Sequence, residues 1–189
     1  LRLVQLTEDV LQLARADAAR GDLHREPIDL RAEINTALEP FSRAFTQKSI
    51  RVNIRAPEGP VTVPADQRRI ARALRNLTDN AARYTPQNSA LDISIETGLE
   101  HVRVGYTNNG GELAPGDLPY IFERFYRGEK SRSRQHGGAG IGLAIVQAFG
   151  IAIFLERNTD IAGGLPLVYS PGWGFRLMTV LTLTTGTAF

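Results

Sequence analysis

Asn76 and Asn80 stand one helical turn apart in the run Asn76-Leu77-Thr78-Asp79-Asn80-Ala81. An i,i+4 spacing puts both side chains on one helix face, where two amide oxygens can serve a hard cation that prefers oxygen ligands. Far downstream, the run Gly137-Gly138-Ala139-Gly140-Ile141-Gly142 opens a second apolar helix. Backbone N–H groups at such a helix start hold phosphates. Together the two runs point to a Mg²⁺-nucleotide site built from two separate helices. Taken singly, an Asn pair is as readily a polar helix face and a short glycine run a turn. Their order and flanks carry the weight.

The elements that must position these residues can be read from periodicity. Asp66 is placed to cap a helix running to Tyr84, with Ile70, Ala73, Leu74, Leu77 and Ala81 on its apolar face. Before it, Leu30 to Lys48 reads as a helix interrupted or bent at Pro40, Ile50 to Ala56 as a half-buried strand and Val61 to Val63 as a short one. After it, Leu91 to Thr97 and His101 to Thr107 alternate as a strand pair. From Asn109 to Ala139 the chain is irregular apart from a short helical piece at Asp117 to Phe122, and a stretch of that kind in a compact domain is functional or disordered. Helix returns at Ile141 to Phe149. Strand-like runs follow at Ile151 to Leu155, Leu165 to Tyr169 and Phe175 to Leu183. At the other end, Leu3, Leu6, Val10 and Leu13 make one sticky stripe on a helix over residues 1–20, widened by Val4 and Leu11. Gly21, Asp22 and Pro27 end that helix and mark a linker over 21–29, so the globular domain is expected over 30–189.

Composition narrows the function classes. With 189 residues and 42% hydrophobic content, the chain can bury one substantial core and one small appendage. A formal charge of only +2 makes no case for nucleic acid. The absence of cysteine excludes disulfides, thiolate metal sites and cysteine nucleophiles. No apolar run reaches the roughly 18 residues of a membrane span and no signal-peptide pattern is present, so no membrane contact is expected of this piece. A start at Leu1 reads as a piece excised from something longer.

Three motifs in order carry a family resemblance: Arg72 to Pro86, then Ile121-Phe-Glu-Arg-Phe125-Tyr-Arg127-Gly128, then the glycine run 137–142. They closely resemble the N box, F box and second glycine box of the ATP-binding catalytic domain of sensor histidine kinases, and three ordered boxes are far more specific than one. Leu1 to Ala16 is similar to the second helix of that family's dimerisation and phosphoacceptor hairpin. The resemblance implies an α+β, Bergerat-type two-layer sandwich: a mixed sheet with helices on one face, preceded by one bundle helix. It implies ATP and Mg²⁺ as cofactors, with Asn76 and Asn80 coordinating the metal. Arg83 would be a basic phosphate contact. Tyr84 would pack near the nucleotide, although a tyrosine at a helix end is as often a partly buried anchor. Arg127 would approach the γ-phosphate during transfer, and Gly138, Gly140, Gly142 and Leu143 would close the backbone around the phosphates. Lys130, Arg132 and Arg134 read as a solvated lid, Phe122 and Phe125 as lid anchors in an apolar groove.

The first glycine box departs from the family pattern Asp-x-Gly-x-Gly, having Asn108, Gly110 and Glu112 in its place. The family's Asp accepts from the adenine amino group. Asn108 can still accept through its amide oxygen, but without the charge, and its amide can flip. Charged hydrogen bonds are worth ~1.5–3 kcal/mol against ~0.5–1.5 for neutral ones, so ATP binding weakened by roughly tenfold is expected. Glu112 would strain a loop that needs positive φ and repel phosphate. Phe149-Gly150-Ile151 stands where the family has His-Gly-Gly.

The resemblance implies the catalytic portion of a kinase that transfers the ATP γ-phosphoryl group to a histidine, for relay to an aspartate on a response regulator receiver domain. It implies a homodimer through the bundle helix and a cytoplasmic location, with a parent that can be anchored in the inner membrane. The phosphoacceptor is absent from this chain: His24 is followed by Pro27, His101 belongs to a strand and His136 to the lid. Related ATPases activate water with a glutamate one turn before the metal-binding Asn. Asn76 occupies that position and cannot act as a base. The alternative is a degenerate module that binds nucleotide weakly or not at all and acts through dimerisation or partner contact.

Overall fold

The computed structural model describes residues 24–98, 101–109, 115–127, 140–148, 152–156 and 176–184. The expected bundle helix, Gly110, Glu112, Gly138, His136 and the run Leu165 to Tyr169 lie outside the described residues.

The chain enters through β1 (Glu26–Asp29) and turns into α1 (Leu30–Leu38), which a 3-10 turn at Glu39–Phe41 separates from α2 (Ser42–Gln47). That break falls at Pro40, whose missing N–H and ring cannot continue an α-helix. β1 occupies the end of the segment expected to be a linker, and it pairs antiparallel with β3 (Thr62–Ala65). The burial of Ile28 and Val63, facing each other in this register, ties the entry to the domain.

The main sheet adds β2 (Arg51–Arg55), β4 (Ala90–Thr97), β5 (His101–Asn109), β6 (Ala152–Glu156) and β7 (Arg176–Thr184) in the order β2-β4-β5-β7-β6. β2 and β4 are parallel and the remaining pairs antiparallel, so the sheet is mixed. Period-two alternation sorts the central strands. Leu91, Ile93 and Ile95 face the core beside Val102, Val104, Tyr106 and Asn108, while Asp92 stays on the other face, where Asn53 Nδ2 donates to it at 2.9 Å.

α3 (Gln67–Tyr84) lies on the apolar face and packs against α1 and against α4 (Gly142–Ala148). Asp66 caps it, its Oδ1 accepting from Arg69 N at 3.1 Å. Thr85 leaves the helix in an extended conformation, as a residue before proline must. The buried stripe contains every residue expected there, with Thr78 and Ala82 added. The short helical piece expected at Asp117 to Phe122 is a 3-10 helix at Pro115–Tyr120. Pro115 favours that earlier start because its fixed φ suits the first helical position.

Candidate nucleotide site

α3 brings the expected residues to one edge of the helical layer. Asn76, Asn80 and Arg83 follow at i, i+4 and i+7, and both asparagines are half-buried beside the apolar stripe. α4 begins against this row: a Cβ built on Gly142 would lie 3.6 Å from Asn76 Oδ1. The start of the glycine-led helix therefore lies close to the Asn76 amide. Leu143 follows half-buried against the core cluster.

Gly140 is where glycine is indispensable. Its φ is +75°, and a Cβ there would stand 2.6 Å from Tyr126 O and 2.9 Å from Phe125 C. The backbone of the second motif thus passes directly over the glycine, and Phe125 N donates to Gly140 O at 3.0 Å. The same contact brings in Arg127, whose Cγ lies 3.2 Å from that Cβ position, so the arginine is half-buried at the edge of the same junction. Phe125 itself departs from expectation. It adopts φ 65° and is 54% exposed instead of anchoring in an apolar groove, because the left-handed backbone that feeds its N–H to Gly140 turns the ring outward. Phe122 is half-buried.

Arg83 Nε donates to Asp79 Oδ2 at 2.7 Å, an i,i+4 pair on a partly exposed surface. Tyr84 is half-buried at the last position of α3.

The C-terminal end of α3 joins Asn108, expected from the sequence to accept from the adenine amino group, to Thr85 and Lys48, which were given no role. Asn108, 5% exposed at the end of β5, donates from Nδ2 to Thr85 Oγ1 at 2.9 Å, and Thr85 is buried too. Lys48 Nζ donates to the carbonyls of Ala82, Arg83 and Thr85 at 2.6, 3.0 and 3.4 Å, satisfying the C-terminal acceptors of α3 with a charge of the right sign for the helix dipole. Asn108, in the first glycine box, and Thr85, a hydroxyl just before a helix-stopping proline, left signals in the sequence. Lys48 left none, being 34 residues from its nearest acceptor. Midway along α3, Thr78 Oγ1 lies 3.3 Å from Tyr106 Oη and also donates to Leu74 O at 2.8 Å. Burial pushes the Tyr106 phenol up to about 12, and the Thr78 hydrogen bond offsets part of that rise.

With the helical layer over one face of a mixed sheet, the architecture is the Bergerat ATP-binding fold. The histidine kinase-, DNA gyrase B-, and HSP90-like ATPase family matches residues 65–162, and the chain belongs to it. Its relatives are sensor histidine kinases. The sensor-like histidine kinase SenX3 of Mycobacterium tuberculosis is 34% identical over 146 residues, which are 77% of this chain and 35% of SenX3. Full-length ShkA in complex with AMPPNP matches with a TM-score of 0.72 at 26% identity, over 98% of this chain and 37% of that one. Histidine kinase ThkA in complex with response regulator protein TrrA matches in fold, with a TM-score of 0.71 at 20% identity over 97% of this chain and 48% of that one. The chain spans about a third of the length of the curated relatives it matches. It is the ATP-binding domain type of a sensor histidine kinase.

Proposed function

We propose that this domain binds Mg²⁺-ATP along α3 and supplies the γ-phosphoryl group to a histidine on another segment of its parent protein, for relay to an aspartate of a response regulator. The observation that carries the reading is the close approach of Gly142 to the Asn76 side chain, which brings two sequence-distant motifs near one another. Kinship with sensor histidine kinases favours it over a degenerate module.

Among the described residues, no cluster of three or more His, Cys, Asp or Glu is arranged for a metal. That suits Mg²⁺ in a nucleotide site, which takes one or two protein oxygens and completes its shell with phosphates and water. Asn76 and Asn80 would hold the ion, which when bound neutralises charge on the phosphate oxygens. Gly138, Gly140, Gly142 and Leu143 would present backbone to the phosphates, and Arg127 would meet the charge that develops at the γ-phosphate. Arg83 would contact phosphate by exchanging its Asp79 partner. Tyr84, Asn108 and Gly110 would surround the base. The proposed division is a partial bundle helix at 1–20, a linker at 21–29 and the catalytic domain at 30–189.

The test is a calorimetric ATP titration with and without Mg²⁺. Asn80→Ala is expected to abolish Mg²⁺-dependent binding with the circular dichroism unchanged. Equal affinity in mutant and parent would refute the metal site.

The response regulator partner is proposed on the chemistry of phosphorelay and on the likeness to ThkA, which has been seen with TrrA. Homodimerisation is proposed through Leu3, Leu6, Val10 and Leu13, because a single bundle helix exposes an apolar stripe that favours burial against a second copy. Sedimentation should show a dimer that deletion of residues 1–20 converts to monomer. A monomer at high concentration in both forms would exclude it. Among the described residues, no helix is long and apolar enough to cross a membrane. A cytoplasmic location is proposed with the kinase reading.

A further inference from the structure

Asn108 and Thr85 form a buried polar pair whose direction can reverse. At 5% exposure, the Asn108 amide has little water to satisfy it, so its orientation is set by what it faces inside the protein. In the present arrangement Nδ2 donates to Thr85 Oγ1 at 2.9 Å, which directs the amide oxygen away from Thr85. A hydroxyl is both donor and acceptor and rotates to suit, so Thr85 can equally donate to Oδ1 after the amide turns over. The two arrangements have the same shape and the same number of hydrogen bonds between the partners. They differ in what is offered to a ligand: an acceptor in one, a donor in the other.

The position of the pair identifies the part of the ligand it would read. Thr85 follows Asn76 by nine residues, about 13 Å along a helix axis, and Lys48 fixes this end of α3 through three carbonyls. With phosphates and metal proposed beside Asn76 and Asn80, and Tyr84 and Asn108 proposed beside the base, the base of an extended nucleotide would lie at the Thr85 end. There a 6-aminopurine presents an N–H donor and a 6-oxopurine a carbonyl acceptor.

We propose that the Asn108–Thr85 pair makes the site accept 6-oxopurine nucleoside triphosphates, those of inosine and guanosine, alongside ATP. The inference rests on the nucleotide-site reading above. A carboxylate at position 108 offers acceptors only and would discriminate strongly. The amide turns over with its hydroxyl partner and admits either base.

The test is competitive titration of the chain with ATP, ITP and GTP in the presence of Mg²⁺. ITP isolates the 6-position because it lacks the 2-amino group of guanine. ITP is expected to bind within about tenfold of ATP, and Asn108→Asp to widen that ratio to roughly 100-fold or more by setting a carboxylate against the 6-oxo group. A parent chain that binds ATP and rejects ITP by more than 100-fold overturns the inference and leaves the nucleotide site standing. A chain that binds neither overturns both. An unchanged ratio in a folded Asn108→Asp chain shows that position 108 does not read the base and also overturns it.

Discussion

The seam between α3 and β5 and the lid strap across the other side of α3 are held by different means. In the seam, side chains make the joins: buried Thr78 with Tyr106, buried Thr85 with Asn108, and half-buried Lys48 with the carbonyls of the helix end. Across the lid, backbone meets backbone where Phe125 N donates to Gly140 O, and Gly142 leaves room for no more than a methyl beside the Asn76 side chain, while Tyr120 and Phe125 stay exposed. Buried, mutually satisfied groups open only with the whole domain. A surface strap with few buried apolar contacts can open locally.

The largest expected effect falls on the seam. The Tyr106 phenol, raised from 10 to about 12, favours its protonated form in the folded state more than in the unfolded chain. Its contribution is therefore complete below pH 10 and is lost as pH climbs through about 12. A displacement of that size is worth on the order of 3 kcal/mol. Tyr106→Phe should abolish this part of the alkaline loss of stability in denaturant titrations at pH 9 to 12, and an identical pH profile in the mutant would argue against a buried phenol.

Lys48→Met should cost about 2 kcal/mol of global stability, since it removes charge-assisted hydrogen bonds and leaves helix-end carbonyls without their donor. Urea midpoints measure this, and a loss below about 0.5 kcal/mol would mean that water caps the helix as well as the ammonium does.

On the lid side, Gly140→Ala meets backbone at 2.6 and 2.9 Å with φ at +75°. Backbone strain of this kind costs on the order of 1–3 kcal/mol, but the strap can undock to relieve it. Hydrogen exchange should accelerate at Phe125 with the global urea midpoint nearly unchanged. A midpoint falling as far as in Lys48→Met would mean that the lid and seam form one cooperative unit. Gly142→Ala should have the smallest effect, below about 0.5 kcal/mol, because a new Cβ meets Asn76 at an ordinary 3.6 Å.

Features governed by short-range chemistry were legible before any fold was known. The Asp66 cap, the stop at Thr85 before Pro86, the break at Pro40 and the stripe from Ile70 to Ala81 each follow from residues within one or two turns. The asparagine and glycine motifs were recognisable as well, because their order and flanks match a family, although Gly142 and Asn76 approach each other only in the folded chain. Phe125 was misread: an aromatic in an irregular stretch carries no record of which way its backbone will turn.

By itself, the sequence determined the helices, the alternation of the strands and the chemical inventory of the site, since propensity, capping and periodicity act over a few residues. Only the tertiary structure decided that Lys48 would close the end of α3, that Asn108 would turn its amide to Thr85, and that the backbone at Phe125 would cross Gly140. Each of these joins groups brought together when the sheet and helices pack. Side-chain polarity limits who can pair, but burial and geometry choose the partner.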